Sequence, residues 1–154
     1  MQDYFFDSSA LVKNYANETG SSWISNIVDA NAGNFIYVAS ITEVEVSTAL
    51  CRKQRDAVIT QSDLKMSIAK LHDDFINTYN VIDVDDVQIT YAIRLVQSHP
   101  LRAYDAIQLA TALQINEQIT NLGLPTITFV SADVALNNAA VAEGLNVDDP
   151  NLHP

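Results

Sequence analysis

Short apolar runs and segments of helical spacing alternate along this chain. Tyr4-Phe5-Phe6 is an aromatic run suited to a buried strand that ends at Asp7, and Phe35-Ile36-Tyr37-Val38-Ala39 reads as a second strand. Tyr79-Asn80-Val81-Ile82-Asp83-Val84 reads as a short third, and Thr126 to Val130 as the last clear one. Between them lie helical stretches. One passes through Ala10-Leu11-Val12 and another runs from Trp23-Ile24 to Ile27-Val28. From about Thr60 to Asn77 the apolar positions Leu64, Ile68, Leu71 and Phe75 recur at helical spacing. A further helix spans roughly Asp85 to Ser98 and is broken by His99-Pro100-Leu101, because the residue before a proline resists the helical region. Ala103 to Ile119, rich in Ala and Leu, is the strongest helix, and one near Asp133 to Glu143 is stopped by Gly144.

Two capping registers compete where the second strand gives way to a helix running through Leu50. Ser40 with Glu43 forms one capping box and Thr42 with Glu45 an equally good one, so one glutamate is expected to cap while the other faces a site. The alternation of strands and helices predicts an α/β chain in three layers, α/β/α, around a central parallel sheet, and sites in such sheets lie beyond the carboxyl ends of the strands. At 154 residues and 48% apolar content, one domain spanning 1–154 is expected, with 148–154 as a loose tail.

That geometry singles out four acids: Asp7, Glu45, Asp105 and Asp133. Two directly follow predicted strands, and the others belong to helices whose first turns lie near the same edge. Each has a plainer reading. Asp7 and Asp133 suit helix caps, and Asp105 with Gln108 resembles a capping box. If the helix instead begins at Ala103, Asp105 shares a stripe with Leu109, Ala112 and Leu113, where an unpaired carboxylate is costly. Carboxylates gathered in a partly dry cleft call for a cation, and hard oxygen donors select Mg²⁺ or Mn²⁺, which points toward phosphodiester chemistry.

Four segments carry a resemblance. Phe6-Asp7-Ser8-Ser9-Ala10-Leu11-Val12-Lys13, Thr42-Glu43-Val44-Glu45-Val46, His99-Pro100-Leu101-Arg102-Ala103-Tyr104-Asp105-Ala106-Ile107-Gln108-Leu109-Ala110-Thr111-Ala112 and Phe129-Val130-Ser131-Ala132-Asp133 closely resemble the PIN domain, and within it the VapC-like toxins of type II toxin–antitoxin systems. The resemblance implies a Mg²⁺-dependent ribonuclease acting on RNA, a homodimer, and inhibition by a VapB-like antitoxin whose tail covers the acidic groove. It places the family's four acids on Asp7, Glu45, Asp105 and Asp133, with Glu43 the competing neighbour of Glu45. It suggests that Ser8 and Ser131 orient carboxylates or the metal's water, a turn role being the alternative for each.

Composition narrows the remaining classes. The net charge of −11 argues against a broad basic nucleic-acid face and fits a basic protein partner. Arg52, Lys53 and Arg55 cluster on one helix, as a solvated face or a substrate track. A single cysteine, Cys51, excludes an internal disulfide framework, and no stretch suits a membrane span, so a soluble, cytoplasmic chain is expected. His72, His99 and His153 lack a paired nucleophile, which argues against acyl transfer. The Tyr and Trp side chains read as core. A phosphatase of the haloacid-dehalogenase type would need an acid where Ser9 stands. A catalytically silent PIN-like binding domain stays open as the alternative.

Overall fold

The computed structural model describes residues 1–154. Five strands form one parallel sheet in the order β3-β2-β1-β4-β5, where β1 is Asp3–Phe6, β2 Phe35–Ala39, β3 Asn80–Ile82, β4 Thr128–Val130 and β5 Asn146–Asp148. Alternate side chains point to opposite faces, so adjacent Phe5 and Phe6 enter different cores although both are fully buried. Cover on both sides explains why the inner strands β1, β2 and β4 read as nearly continuous apolar runs.

One face packs against α5 (Asp86–Ser98), α6 (Ala103–Asn121) and α7 (Val134–Ala142), with Phe5 and Phe129 stacked at 5.8 Å between ring centres. The other carries α1 (Ser8–Leu11), α2 (Ser21–Val28), α3 (Thr42–Arg55) and α4 (Gln61–Asn77), around Phe6, Leu11, Ile24, Val38, Leu50 and Leu71. The three-layer α/β/α arrangement expected from the sequence is therefore present. The chain builds outward from β1 in one direction through β2 and β3, then crosses to the other side of β1 for β4 and β5. This reversal opens a crevice beyond the carboxyl ends of β1 and β4, the place where open α/β sheets form sites.

Three expectations need correction. Residues 148–154 are not loose. Asp148 closes the fifth strand by pairing with Val130, Pro150 is buried, Asn151 accepts a hydrogen bond from the buried Lys13 at 3.0 Å, and His153 stacks on Trp23 at 4.1 Å. Neither capping box at the start of α3 forms. Ile41 occupies the cap position with no side-chain bond, because Ser40 instead accepts from the Val84 backbone and Thr42 from Gln108. The expected third strand over 79–84 shortens to three residues, since Tyr79 turns into the core to meet Tyr15 and Phe75.

Candidate active site at the β1–β4 crevice

Asp7 follows β1 directly and caps α1, accepting from the Ala10 backbone N–H at 3.1 Å. The capping role read from the sequence is thus real, but it occupies only part of the carboxylate. Ser9 lies 2.8 and 3.0 Å from its two oxygens, and the same hydroxyl accepts the Ala132 N–H at 2.9 Å. Ser131 sits 3.3 Å from Ser9 and accepts the Asp133 N–H at 3.0 Å. These bonds tie the end of β1 to the end of β4. Asp7 is 2% exposed, and burial pushes its carboxyl up to about 7 against the opposing hydrogen bonds from Ser9, Ala10 and Ser131.

Glu45 projects from the first turn of α3. Its carboxylate accepts from Ser8 at 3.0 Å and from Gln108 at 2.8 Å. Gln108 is 1% exposed, also donates to Thr42 at 2.8 Å, and leaves its own Oε1 without a partner. Burial raises the Glu45 carboxyl, the Gln108 and Ser8 bonds oppose that rise, and the Asp105 charge adds to it. Asp105, in the first turn of α6, is raised by burial and then by the Asp133 charge, with the Arg102 guanidinium and backbone N–H opposing. Asp133 caps α7 by accepting the Leu136 N–H at 2.9 Å. Glu45 and Asp105 therefore feel each other, as do Asp105 and Asp133, while Asp7 joins the group through Ser9 and Ser131.

Glu43 lies on the opposite side of α3, where it pairs with His72 of α4 at 2.8 Å. His99 and His153 likewise pair with carboxylates outside the group, Glu143 at 2.6 Å and Asp148 at 2.7 Å. Two contributors were not read from the sequence. Gln108 bonds to Thr42 and Glu45, distant along the chain, so the one local hint was that it falls one turn after Asp105; Ser9 reaches Asp7 two residues away, while its bonds to Ser131 and Ala132 cross the sheet. The capping box expected for that pair is replaced by the bonds of Gln108 to α3. Tyr104 corrects the reading of tyrosines as core, since it is 62% exposed.

No three Asp, Glu, His or Cys side chains are close enough together to hold a metal ion directly. The four acids share an edge without forming a finished cage. The donor set is nonetheless all hard oxygen, and three of its carboxyls are raised, Asp7 by burial and Glu45 and Asp105 by burial with a neighbouring carboxylate's charge added. Mg²⁺ keeps several waters and binds through one or two carboxylates together with substrate phosphates, so such a set fits that ion in hydrated form.

A crevice at the reversal point of a parallel sheet, edged by four acids, defines a class of α/β domain, and comparison specifies it. The sequence pattern of the PIN domain matches residues 4–140, and this chain belongs to the PIN domain family. Ribonuclease VapC45 and ribonuclease VapC49, from two strains of Mycobacterium tuberculosis, are each 29% identical to it over 150 residues, covering 97% of both chains. The crystal structure of VapBC2 from Rickettsia felis bound to a promoter DNA fragment superposes with a TM-score of 0.64 over 96% of this chain and 98% of that one. At 14% identity that likeness is one of fold.

The two glutamates give a paired expectation. Glu45→Gln should abolish any hydrolytic activity of the crevice with little change in urea midpoint. Glu43→Gln should retain activity and cost less than about 0.5 kcal/mol, as expected for an exposed side-chain pair. Activity lost with Glu43→Gln and kept with Glu45→Gln would reverse the assignment.

Proposed function

We propose that this chain is a Mg²⁺-dependent endoribonuclease that hydrolyses RNA phosphodiester bonds and serves as the toxin of a VapBC-like pair. The observation that carries the reading is the gathering of Asp7, Glu45, Asp105 and Asp133 at one sheet edge, three of them with raised carboxyls. The names of the relatives at 29% identity support RNA as substrate. Asp7, Glu45 and Asp105 would hold the ion, largely through its waters, and Asp133 would complete the site; Mn²⁺ suits the same oxygen donors. When bound, the ion supplies positive charge to the phosphate oxygens and lowers the pKa of an attacking water. The chain's own residues hold this arrangement ready. Ser9 and the Ala10 N–H fix Asp7, Ser8 and Gln108 fix Glu45, and Ser131 braces the turn that presents Asp133.

A VapB-like antitoxin covers the groove, and the chain's net charge of −11 favours a basic segment in that role. The protein is a homodimer in this reading, and Ile89, Ile93 and Val96, exposed at helical spacing on α5, supply apolar surface for self-association. No helix is long and apolar enough to cross a membrane.

Asp105→Asn tests the assignment. Cleavage of single-stranded RNA in Mg²⁺ should fall at least about a hundredfold, near 2.7 kcal/mol of transition-state stabilisation. The urea midpoint in EDTA should rise, because a poorly solvated charge beside Asp133 is removed. A variant that is less stable yet cleaves normally would make Asp105 a structural residue only, and a wild type that binds RNA without cutting it would favour the silent binding domain.

A further inference from the structure

The geometry points to Arg102 and Tyr104 as a docking subsite for single-stranded RNA beside the carboxylates, the guanidinium holding a backbone phosphate and the tyrosine ring stacking on a base. This rests on the ribonuclease reading and adds to it the residues that seat the substrate. The need is electrostatic: at a net charge of −11, an RNA strand approaching the acids meets repulsion unless a cation stands at the crevice. Most of the chain's eight Lys and Arg side chains are placed elsewhere. Lys13 and Lys53 are paired with Glu18, Lys70 with Asp74, and Arg94 lies over the Tyr91 ring. Arg52 and Arg55 lie in the last turn of α3, two to three turns beyond Glu45, and Lys65 is on α4.

Arg102 differs from all of these. Like Arg52, Arg55 and Lys65 it is exposed and takes part in no salt bridge, but it alone of these acts on one of the four acids, Asp105. It precedes α6 and leaves Asp105 three residues on, so cation and carboxylate rise from the same turn. Between them Tyr104 is 62% exposed, the most exposed of the Phe, Tyr and Trp residues. Phe35, the other exposed residue of that kind, begins β2 and so lies at the opposite end of the sheet. Single-stranded nucleic acids are held by this pairing of a cation for the backbone with an aromatic ring for a base, and stacking tolerates any base because each has a π-face. Both side chains are exposed, so neither is needed for the fold.

The test is binding of a fluorescent single-stranded RNA oligonucleotide in EDTA, followed across a salt series by anisotropy, with cleavage in Mg²⁺ measured alongside. Arg102→Ala should weaken binding several-fold and make the slope of log affinity against log salt shallower by about 0.7, the signature of one lost phosphate contact. Tyr104→Ala should weaken binding about fivefold or more with the slope unchanged, and Tyr104→Phe should bind like the wild type. Unaltered affinity and slope in both alanine variants, with the wild type binding and cleaving RNA, would overturn the subsite while leaving the ribonuclease reading intact. A wild type that neither binds nor cleaves RNA would overturn both. Variants that keep RNA affinity but lose hold of an antitoxin would make this a protein-binding surface and overturn the RNA subsite.

Discussion

Asp7→Asn is expected to make the metal-free protein more stable at neutral pH while removing its activity. In the fold this carboxyl titrates at about 7 against an ordinary 3.8, because burial penalises its charged form. The folded state thus binds the proton more tightly than the unfolded chain. The stability this confers is fully present below about pH 3.8 and is lost progressively as pH rises to about 7, by about 1.4 kcal/mol per unit. The difference of about 3 units corresponds to on the order of 4 kcal/mol. Asparagine keeps the shape and the cap acceptor without the charge, so the variant's urea midpoint in EDTA should exceed that of the wild type at pH 8. The two should converge near pH 4. RNA cleavage should fall at least about a hundredfold, because the buried member of the oxygen donor set is neutralised. A variant less stable than the wild type at pH 8 would show that Asp7 contributes chiefly as a charged helix cap.

Gly20→Ala is expected to destabilise the protein by about 3 kcal/mol, with a fall in thermal midpoint of roughly 10 °C. Gly20 precedes α2 with φ of 88°, and a Cβ there would come within 2.2 Å of the Pro150 carbonyl oxygen. The substitution therefore combines left-handed strain with displacement of the buried Pro150, which anchors the C-terminal segment. Gly33→Ala is the control. Its φ of 68° carries similar strain, but nothing lies within 4 Å of the added carbon, so about 1 kcal/mol is expected. Equal losses for the two would show that the close approach to Pro150 is relieved at no cost.

These two glycines also mark the limit of what was legible in the chain. Tyr4-Phe5-Phe6 and Phe35 to Ala39 announce buried parallel strands because both faces of the sheet are covered, and Ala103 onward announces a helix through its Ala and Leu content. The positions of Asp7 and Asp133 followed from those elements and the rule that sites lie beyond strand ends. What failed depended on contacts distant in sequence. Asn146-Val147-Asp148 holds one apolar residue, and it is a strand only because β4 offers its backbone alongside. Ser40-x-x-Glu43 and Thr42-x-x-Glu45 match a cap pattern, yet Val84, His72 and Gln108 compete for those side chains and prevail. Gln108 supports Glu45 across 63 residues, and Ser9, though local to Asp7, is itself held by bonds to residues 131 and 132, which no local window reveals.

In the proposed reaction the four carboxylates act on RNA only together with a divalent cation. The most direct measurement is single-turnover cleavage of a single-stranded RNA by the purified wild-type chain as Mg²⁺ is titrated from EDTA to millimolar concentration. Cleavage should be absent in EDTA, rise saturably with Mg²⁺, and be restored by Mn²⁺. Cleavage that persists unchanged in EDTA, or that is absent at every Mg²⁺ and Mn²⁺ concentration, would contradict the account.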